Sequence, residues 1–276
     1  MLSKRSTWKI VAIVLVVFAI VAAGCMPLQR GAMQPGGLAG QQAGGRAGMG
    51  NGMGNGMGGR AAGAGMGMGG RFADVTDVDG NGFTRMNAPL MQTAIATQPV
   101  GVLTDAEKAG LLFMREEEKL AHDVYVTLSE KWNMPVFQNI PNSEQTHTDA
   151  VKFLLDRYGL TDPATGKAVG VFADEALQKL YDQLVEKGNQ SLANALTVGA
   201  TIEDLDIVDL QTRLAQTDNT DIQMVYQNLM KGSRNHLRAF TKSLTSQAGA
   251  AYTPQYLSQA AFDEIVNAPV ERGPAR

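Results

Sequence analysis

The sequence predicts an all-α protein whose globular part is a four-helix bundle. Four long segments carry apolar residues at helical spacing, and no segment shows the sustained two-residue alternation that marks a strand. The connection between the second and third of these segments is long and contains a shorter helical segment. Such a connection is typical of bundles with a crossover between their second and third helices.

The chain begins with a predicted export signal. Three basic residues precede the apolar run at 10–23, which is shorter than the about 20 residues that a comfortable membrane span needs. The sequence AAGC at 22–25 resembles a bacterial lipoprotein box, and Cys25 is the only cysteine. We therefore interpret residues 1–25 as a lipoprotein signal peptide and Cys25 as the lipidated residue. An uncleaved anchor with an idle cysteine is the alternative, and either places the remainder outside the cytoplasm, tethered to a membrane.

Residues 26–72 predict a disordered tether, because 18 of the 47 residues are Gly and little apolar surface is left to bury. Seven Met residues keep copper capture open beside a plain spacer, since thioethers favour Cu(I). The formal net charge is −3, and the first 72 residues hold seven basic and no acidic side chains, so the remainder carries −10. An acidic part without a basic stripe argues against nucleic acid as a partner.

Residues 73–102 are interpreted as a transitional segment. Asp77, Asp79 and Asn81 match the opening of a calcium-binding loop. The twelfth position of such a loop requires a bidentate Glu, and here it is Ala88. A turn is therefore the preferred interpretation.

The predicted bundle covers residues 103–265 and begins with a capping box, in which Thr104 is the N-cap and Glu107 lies three residues on. We expect the first long helix to end near Trp132 and the second to stop at Gly159. The second long helix is expected to begin near residue 143. The helices after it are expected at about 174–187, 191–216 and 221–246, with a tail at 266–276. The 174–187 segment is the short extra helix of the crossover.

Three charged residues occupy positions where the helical pattern predicts apolar side chains: Glu118, Glu203 and His236. Burying a bare carboxylate costs several kcal/mol, so these groups need a partner, and one cation can serve several of them. Glu144 and His147 lie three residues apart and project from one helix face, so both can reach the bundle interior. Three carboxylates with two imidazoles suit iron or manganese, and zinc less well.

The chain resembles the ferritin-like superfamily of di-iron carboxylate bundles, through Glu118-x-x-Ala121-x-x-x-Tyr125 and Glu144-x-x-His147. More narrowly, it resembles the family called domain of unknown function (DUF) 2202. The segments that carry this resemblance are "MREEEKLAHDVY", "SEQTHTDAV", "IEDLDIVDL" and "GSRNHLRAF".

This resemblance implies a ferritin-like fold holding two iron ions, with manganese or zinc as alternatives. The implied metal ligands are Glu118, Glu144, His147, Glu203 and His236. The resemblance also implies that Tyr125, otherwise a core residue, is a phenol near the metals. A second Glu-x-x-His is expected on the fourth long helix, but Ser233 stands three residues before His236. Asp206 or a water molecule is the expected replacement.

Other interpretations of these residues stay open. Glu117 is an alternative inward residue to Glu118, and Glu203 is alternatively a solvated acid beside other acids. His236 is alternatively a core histidine, and His122, four residues after Glu118, is expected to face solvent beside Lys119 and Asp123.

The expected function is a membrane-tethered, extracytoplasmic di-iron or manganese oxidoreductase that acts on dioxygen, peroxide or Fe(II). A metal-sequestering lipoprotein without catalysis and a structural surface module are the alternatives. The expected partners are metal ions, dioxygen or peroxide, and a membrane reached through the N-terminal lipid. A homodimer stays open as the assembly.

Overall fold

The structure is a computed structural model that describes residues 75–79 and 83–273. The predicted signal peptide, Cys25 and the Gly- and Met-rich tether lie outside the described residues. Within the described residues the protein is mostly helical, with seven helices and one small two-stranded sheet, which confirms the all-α class. None of the described helices is both long and apolar enough to cross a membrane.

The elements follow one another as a hairpin, a short helix, four long helices with a shorter one among them, and a final short helix. Their bounds are β1 Thr76–Val78, β2 Thr84–Met86, α1 Ala88–Ala96, α2 Asp105–Ser129, α3 Pro135–Arg157, α4 Glu175–Gly188, α5 Leu192–Leu214, α6 Thr220–Ala248 and α7 Gln259–Asn267.

The segment at 73–102, predicted as transitional, contains a hairpin and a helix. Strands β1 and β2 pair antiparallel, with Thr76 opposite Met86. Val75, Phe83 and Met86 are buried in the common core, so the hairpin is attached to the helices by its apolar side chains. Each strand has three residues, which is too short for alternation to be recognised in the sequence. The turn predicted at Asn81 lies outside the described residues.

Helix α2 begins as predicted. The hydroxyl of Thr104 accepts the backbone N–H of Glu107, and the Glu107 carboxylate accepts the backbone N–H of Thr104 at 2.7 Å. This reciprocal capping box satisfies two of the N–H groups that a helix start leaves without intrahelical acceptors. The helix ends at Ser129, three residues before the predicted end at Trp132.

Helix α3 begins at Pro135, so the start predicted near Ser143 is wrong. Pro135 suits the first helical turn, where its missing N–H costs no hydrogen bond. Pro141 lies inside the helix, although the predicted start near Ser143 placed it in the preceding connection. A proline at this position removes one backbone hydrogen bond. Phe137 and Ile140 are almost completely buried, and the packing of these side chains keeps the first two turns helical.

The remaining predicted helices are confirmed with small shifts at their ends. Asp174 and Ser191 cap α4 and α5 with their side chains, and Gly249 ends α6 with a left-handed φ of 64°. The tail predicted from residue 266 begins inside α7. Beyond α7, Glu271 forms ion pairs with Arg234 and Arg238 of α6, so the chain end packs on that helix.

The four long helices contact one another in a closed cycle. Helix α2 packs along α3, α3 against α6, α6 along α5, and α5 against α2. Helix α4 lies against α2 and α5, and β2 lies against α3 and α6. The interior of the cycle is therefore enclosed by helix faces on every side, and the buried charged residues lie in it.

Candidate metal centre

The centre is built around two residues on one face of α3. Glu144 and His147 are one helical turn apart, and both are almost completely buried. The Nδ1 atom of His147 lies 2.9 Å from Oε2 of Glu144 and 3.4 Å from Oε2 of Glu118 on α2. One imidazole thus faces two carboxylates from two helices.

A second imidazole faces the other side of Glu144. The Nδ1 atom of His236, on α6, lies 2.7 Å from Oε1 of Glu144 and 3.7 Å from Oε2 of Glu203 on α5. Each oxygen of Glu144 therefore has its own imidazole, and each imidazole has a further carboxylate of its own. The five residues predicted as metal ligands come together, one or two from each long helix.

The close approach of α3 and α6 depends on Gly232. The two imidazole rings are stacked with their centroids 5.5 Å apart. A Cβ atom at position 232 would lie 2.5 Å from Cε1 of His147, which is inside van der Waals contact. Only glycine leaves space for the His147 ring at this point of α6. Gly232 was not among the predicted site residues, although a glycine in the middle of a long helix is a usable signal of close packing.

The donor atoms of the centre are buried without hydrogen bonds. Within the described part of the chain, no hydrogen-bonding partner is found for the ring nitrogens of His147 and His236, or for Oε1 of Glu118 and of Glu144. The imidazole–carboxylate contacts are ion pairs only while the histidines are protonated. Buried polar atoms are almost always paired, so unpaired ones need an explanation such as an ion. Imidazole nitrogens and carboxylate oxygens are donors that iron, manganese and zinc accept.

The pKa values of both imidazoles and of the Glu203 carboxyl are raised in the centre. Burial lowers the pKa of His147, but the charges of Glu144 and Glu118 outweigh it and hold that pKa well above its usual value. In His236, the charges of Glu144 and Glu203 likewise overcome burial and raise the pKa to about 9. Burial and the charge of Glu144 raise the pKa of Glu203 to about 7. Because a metal ligand must be deprotonated, binding of a cation here would release protons.

Tyr125 is a core residue that also contacts the centre. Its hydroxyl donates to Oε1 of Glu203 at 2.6 Å and lies 3.3 Å from the carbonyl oxygen of Gly199. Burial and the charge of Glu203 raise the pKa of this phenol well above its usual value, so it stays a donor. Tyr125 therefore fixes the orientation of one carboxylate of the centre.

Ser233 occupies the place where a second Glu-x-x-His was expected, and its partner is Asp206. The hydroxyl of Ser233 donates to Oδ2 of Asp206, while Oδ1 of Asp206 is buried without a hydrogen bond. Burial and the charge of Glu118 raise the pKa of Asp206 well above its usual value. Asp206 is thus close to the centre, but the three residues with ligand atoms all within 4.8 Å of one another are Glu144, His147 and His236.

Glu117 and His122, the two other candidate residues of α2, do not face the imidazoles of the centre. Glu118 faces His147, while Glu117 is buried on another side of α2, towards Asp209. His122, expected to face solvent, is half-buried, with its Nδ1 atom 2.8 Å from Oδ1 of Asp123. Neither Glu117 nor His122 belongs to the centre.

The hairpin is attached next to both histidines, which the sequence did not predict. The backbone N–H of Met86 donates to the hydroxyl of Thr146 at 2.7 Å, and Thr146 precedes His147. The side-chain amide of Asn235, which precedes His236, donates to the hydroxyl of Thr84 at 2.7 Å. The hairpin therefore covers the α3 and α6 side of the centre.

Comparison with known proteins relates the chain to proteins without an assigned function. A family model described as "Uncharacterized protein domain (DUF2202)" matches residues 107–269. The uncharacterized protein MJ0754 of Methanocaldococcus jannaschii is 53% identical over 179 residues, which cover 65% of this chain and 96% of that protein. The crystal structure of hypothetical protein MJ0754 matches with a TM-score of 0.62 and 52% identity, covering 63% of this chain and 99% of that one.

Proposed function

The chain belongs to the DUF2202 family, and from this premise we propose that it is a binuclear metal protein, an oxidoreductase that acts on dioxygen, peroxide or Fe(II). The observation that carries the proposal is the position of Glu144 between His147 and His236, with one oxygen 2.9 Å or less from each Nδ1 atom. A carboxylate in this position can serve two metal ions at once.

The two halves of the centre offer matched sets of donors. His147 and Glu118 would hold one ion and His236 and Glu203 the other, with Glu144 shared between them. Iron or manganese ions bound there would supply the electron changes that reduce dioxygen or peroxide, or that oxidise Fe(II). Zinc accepts the same donors but has no redox chemistry.

The protein itself would orient the ligands and exclude bulk water. Each of the five residues is at most 2% exposed, so bulk water would be excluded from the bound metals. Tyr125 holds Glu203 in one orientation through its 2.6 Å hydrogen bond. The Ser233 hydroxyl holds Asp206, so the position without a second Glu-x-x-His is filled by a hydrogen-bonded pair from α5 and α6.

We also propose that the fold is a ferritin-like four-helix bundle. The closed cycle of contacts among α2, α3, α6 and α5 supports this arrangement. The long connection between α3 and α5 with α4 in it supports the crossover. The five donors lie inside the cycle with a contribution from each long helix, as in this class of bundle, although the carboxylate of a second Glu-x-x-His is replaced by Ser233.

For the location of the protein, we propose that it is a lipoprotein anchored to a membrane through Cys25, with its helical part outside the cytoplasm. The basic residues, the apolar run at 10–23 and the AAGC sequence support this location. We propose metal ions and dioxygen or peroxide as partners, with no role for nucleic acid, since residues 73–276 carry a formal charge of −10. A homodimer is the assembly to test.

The function is tested by loading the metal-free protein with Fe(II) without oxygen and then adding dioxygen or peroxide. We expect Fe(II) oxidation in the wild type, with an absorption band that a reductant bleaches and dioxygen restores. His147→Ala and His236→Ala should each abolish this cycle, and His122→Ala should retain it, because His122 pairs with Asp123 outside the centre. A protein that binds only zinc, or that holds iron without redox cycling, would contradict the oxidoreductase and leave a metal-sequestering role.

A further inference from the structure

The β1–β2 hairpin covers the line of contact between α3 and α6, and the proposed function does not use it. Strand β2 lies against both helices, and the hairpin lies outside the residues that the family model matches, which begin at residue 107. In β2, Thr84 and Met86 are buried, and Arg85 between them is exposed. Because alternate side chains of a strand point to the same face, Thr84 and Met86 both face the helices.

On α3, the hairpin contacts the residue directly before a predicted metal ligand. The backbone N–H of Met86 donates to the Thr146 hydroxyl at 2.7 Å, and this hydroxyl donates to the carbonyl oxygen of Ser143 at 2.7 Å. The single hydroxyl proton of Thr146 is therefore directed into its own helix, and a lone pair accepts the hairpin. His147 is the next residue, so this contact holds its turn of α3 without entering the centre.

On α6, the hairpin contacts the residue directly before the other histidine. The side-chain amide of Asn235 donates to the Thr84 hydroxyl at 2.7 Å and to the backbone carbonyl of Glu271 at 3.1 Å. Its Oδ1 atom accepts the backbone N–H of Glu271 at 2.9 Å and Nη1 of Arg238 at 2.7 Å. Asn235 thus uses both of its donors and accepts two hydrogen bonds, which fixes its side chain and the turn of α6 that carries His236.

A separate contact between α3 and α6 lies far from the centre. Asp221, at the start of α6, accepts Nε of Arg157 at 2.9 Å and the hydroxyl of Tyr158 at 2.8 Å. Arg157 comes ten residues after His147, which is about 15 Å along the helix. This contact is too distant to fix the spacing of the two helices at the level of His147.

We propose that the hairpin is a clamp that sets the spacing of His147 and His236, with Thr84 and Thr146 as its two points of attachment. The inference rests on the proposed function, because it assigns the hairpin a role at the same centre. The two imidazole rings are 5.5 Å apart, and their Nδ1 atoms lie 2.9 Å and 2.7 Å from the two oxygens of Glu144. Groups that bind a metal together must be held within about 0.5 Å of their working positions. Strand β2 is hydrogen-bonded to both helices beside the rings and holds them at this distance.

The test determines the crystal structure of the metal-free Thr84→Val/Thr146→Val variant and titrates the same full-length protein with Mn²⁺. Valine keeps the branched shape of threonine but has no hydroxyl to accept the two hydrogen bonds. We expect the rings of His147 and His236 to be displaced relative to each other by about 0.5 Å or more. We expect Mn²⁺ to bind about 10-fold more weakly than in the wild type, at the lower end of the effect of groups that orient a metal ligand.

Two controls separate this role from a general contribution to folding. Thr84→Ser/Thr146→Ser keeps both hydroxyls and should retain the wild-type ring separation and Mn²⁺ affinity. Tyr158→Phe removes a hydroxyl contact at the distant end of α3 and α6, so it should lower the unfolding temperature without changing either quantity. If the double Thr→Val variant does not fold, Thr146→Val alone repeats the test at a half-buried position, with a smaller displacement in the same direction.

The ring separation is measured without metal, so it tests the clamp independently of the proposed function. An unchanged separation in the Thr→Val variants would overturn the inference even if their unfolding temperature falls, since the hairpin would then only stabilise the fold. A wild type that binds fewer than two Mn²⁺ ions would contradict the binuclear centre, whereas displaced rings in the Thr→Val variants would still support the clamp.

Discussion

Replacing Gly232 with alanine tests how strictly the packing of α6 against α3 positions His147. The new Cβ atom would lie 2.5 Å from Cε1 and 2.6 Å from Nε2 of the His147 ring. Ordinary carbon contacts are about 3.5 to 4.0 Å, so the ring or the helix must move by about 1 Å. His147 is 0% exposed, so the ring cannot swing out into solvent without opening the core.

The expected effect is larger on metal binding than on folding. Overpacking a core costs about 1 to 3 kcal/mol, while Gly→Ala inside a helix returns about 1 kcal/mol, so the metal-free protein should lose only about 0 to 2 kcal/mol. The displaced ring alters the 2.9 Å and 3.4 Å distances from Nδ1 of His147 to the two carboxylates. Disturbing the groups that orient a ligand typically costs about 10- to 100-fold in metal affinity, and we expect at least this loss for the ion at His147.

The assay measures metal affinity by calorimetric titration and stability by thermal unfolding of the metal-free protein. Gly110→Ala on α2 is the matched control, because its Cβ would lie 3.2 Å from the flexible side chain of Arg213 and 3.7 Å from the Tyr226 hydroxyl, an ordinary contact distance. That variant should bind both ions as the wild type does. Unchanged affinity in Gly232→Ala, with unchanged stability, would refute the claim that Gly232 sets the position of His147.

Three further predictions concern separate parts of the chain. Tyr125→Phe removes the hydrogen bond to Glu203, so the free energy of unfolding should fall by about 1 kcal/mol. The metal ion at His236 and Glu203 should also bind more weakly, which a metal titration measures. Equal binding in the variant and the wild type would exclude an orienting role for Tyr125. Burial raises the pKa of Glu271, but two arginines of α6 outweigh it and hold that pKa below its usual value. Its contribution to stability is therefore present at neutral pH and lost as the pH falls below about 4, so unfolding curves of Glu271→Gln and wild type should converge in acid. Cys25→Ser should abolish incorporation of a labelled fatty acid and move the protein out of the membrane fraction, whereas continued membrane association without lipid would favour the uncleaved anchor.

The parts of the fold that depend on local chemistry were predictable. The capping box at Thr104, the helix starts near Asp174 and Ser191 and the stop at Gly159 all lie where the sequence placed them. Each depends on residues a few positions apart, which a single sequence displays. The start of α3 was not predictable in this way, because the burial of Phe137 in the core outweighs the helix-breaking effect of Pro141.

The candidate site was predictable where an ionisable side chain interrupts an apolar stripe. That pattern identified Glu118, Glu203 and His236, and the structure places all three at the centre. The acids of α5 show the limit of the pattern. Asp204 was not singled out from the sequence, but it is completely buried and accepts the backbone N–H groups of residues 255–257. Its partners lie about 50 residues away in the sequence, and no local pattern reveals them.

The proposed binuclear centre requires that two metal ions share Glu144, one at each histidine. Anomalous diffraction from crystals of the Mn²⁺-loaded protein tests it most directly. We expect two peaks, on either side of Glu144, one bound by His147 and Glu118 and the other by His236 and Glu203. A single peak, or peaks that leave Glu144 without a metal contact, would contradict it.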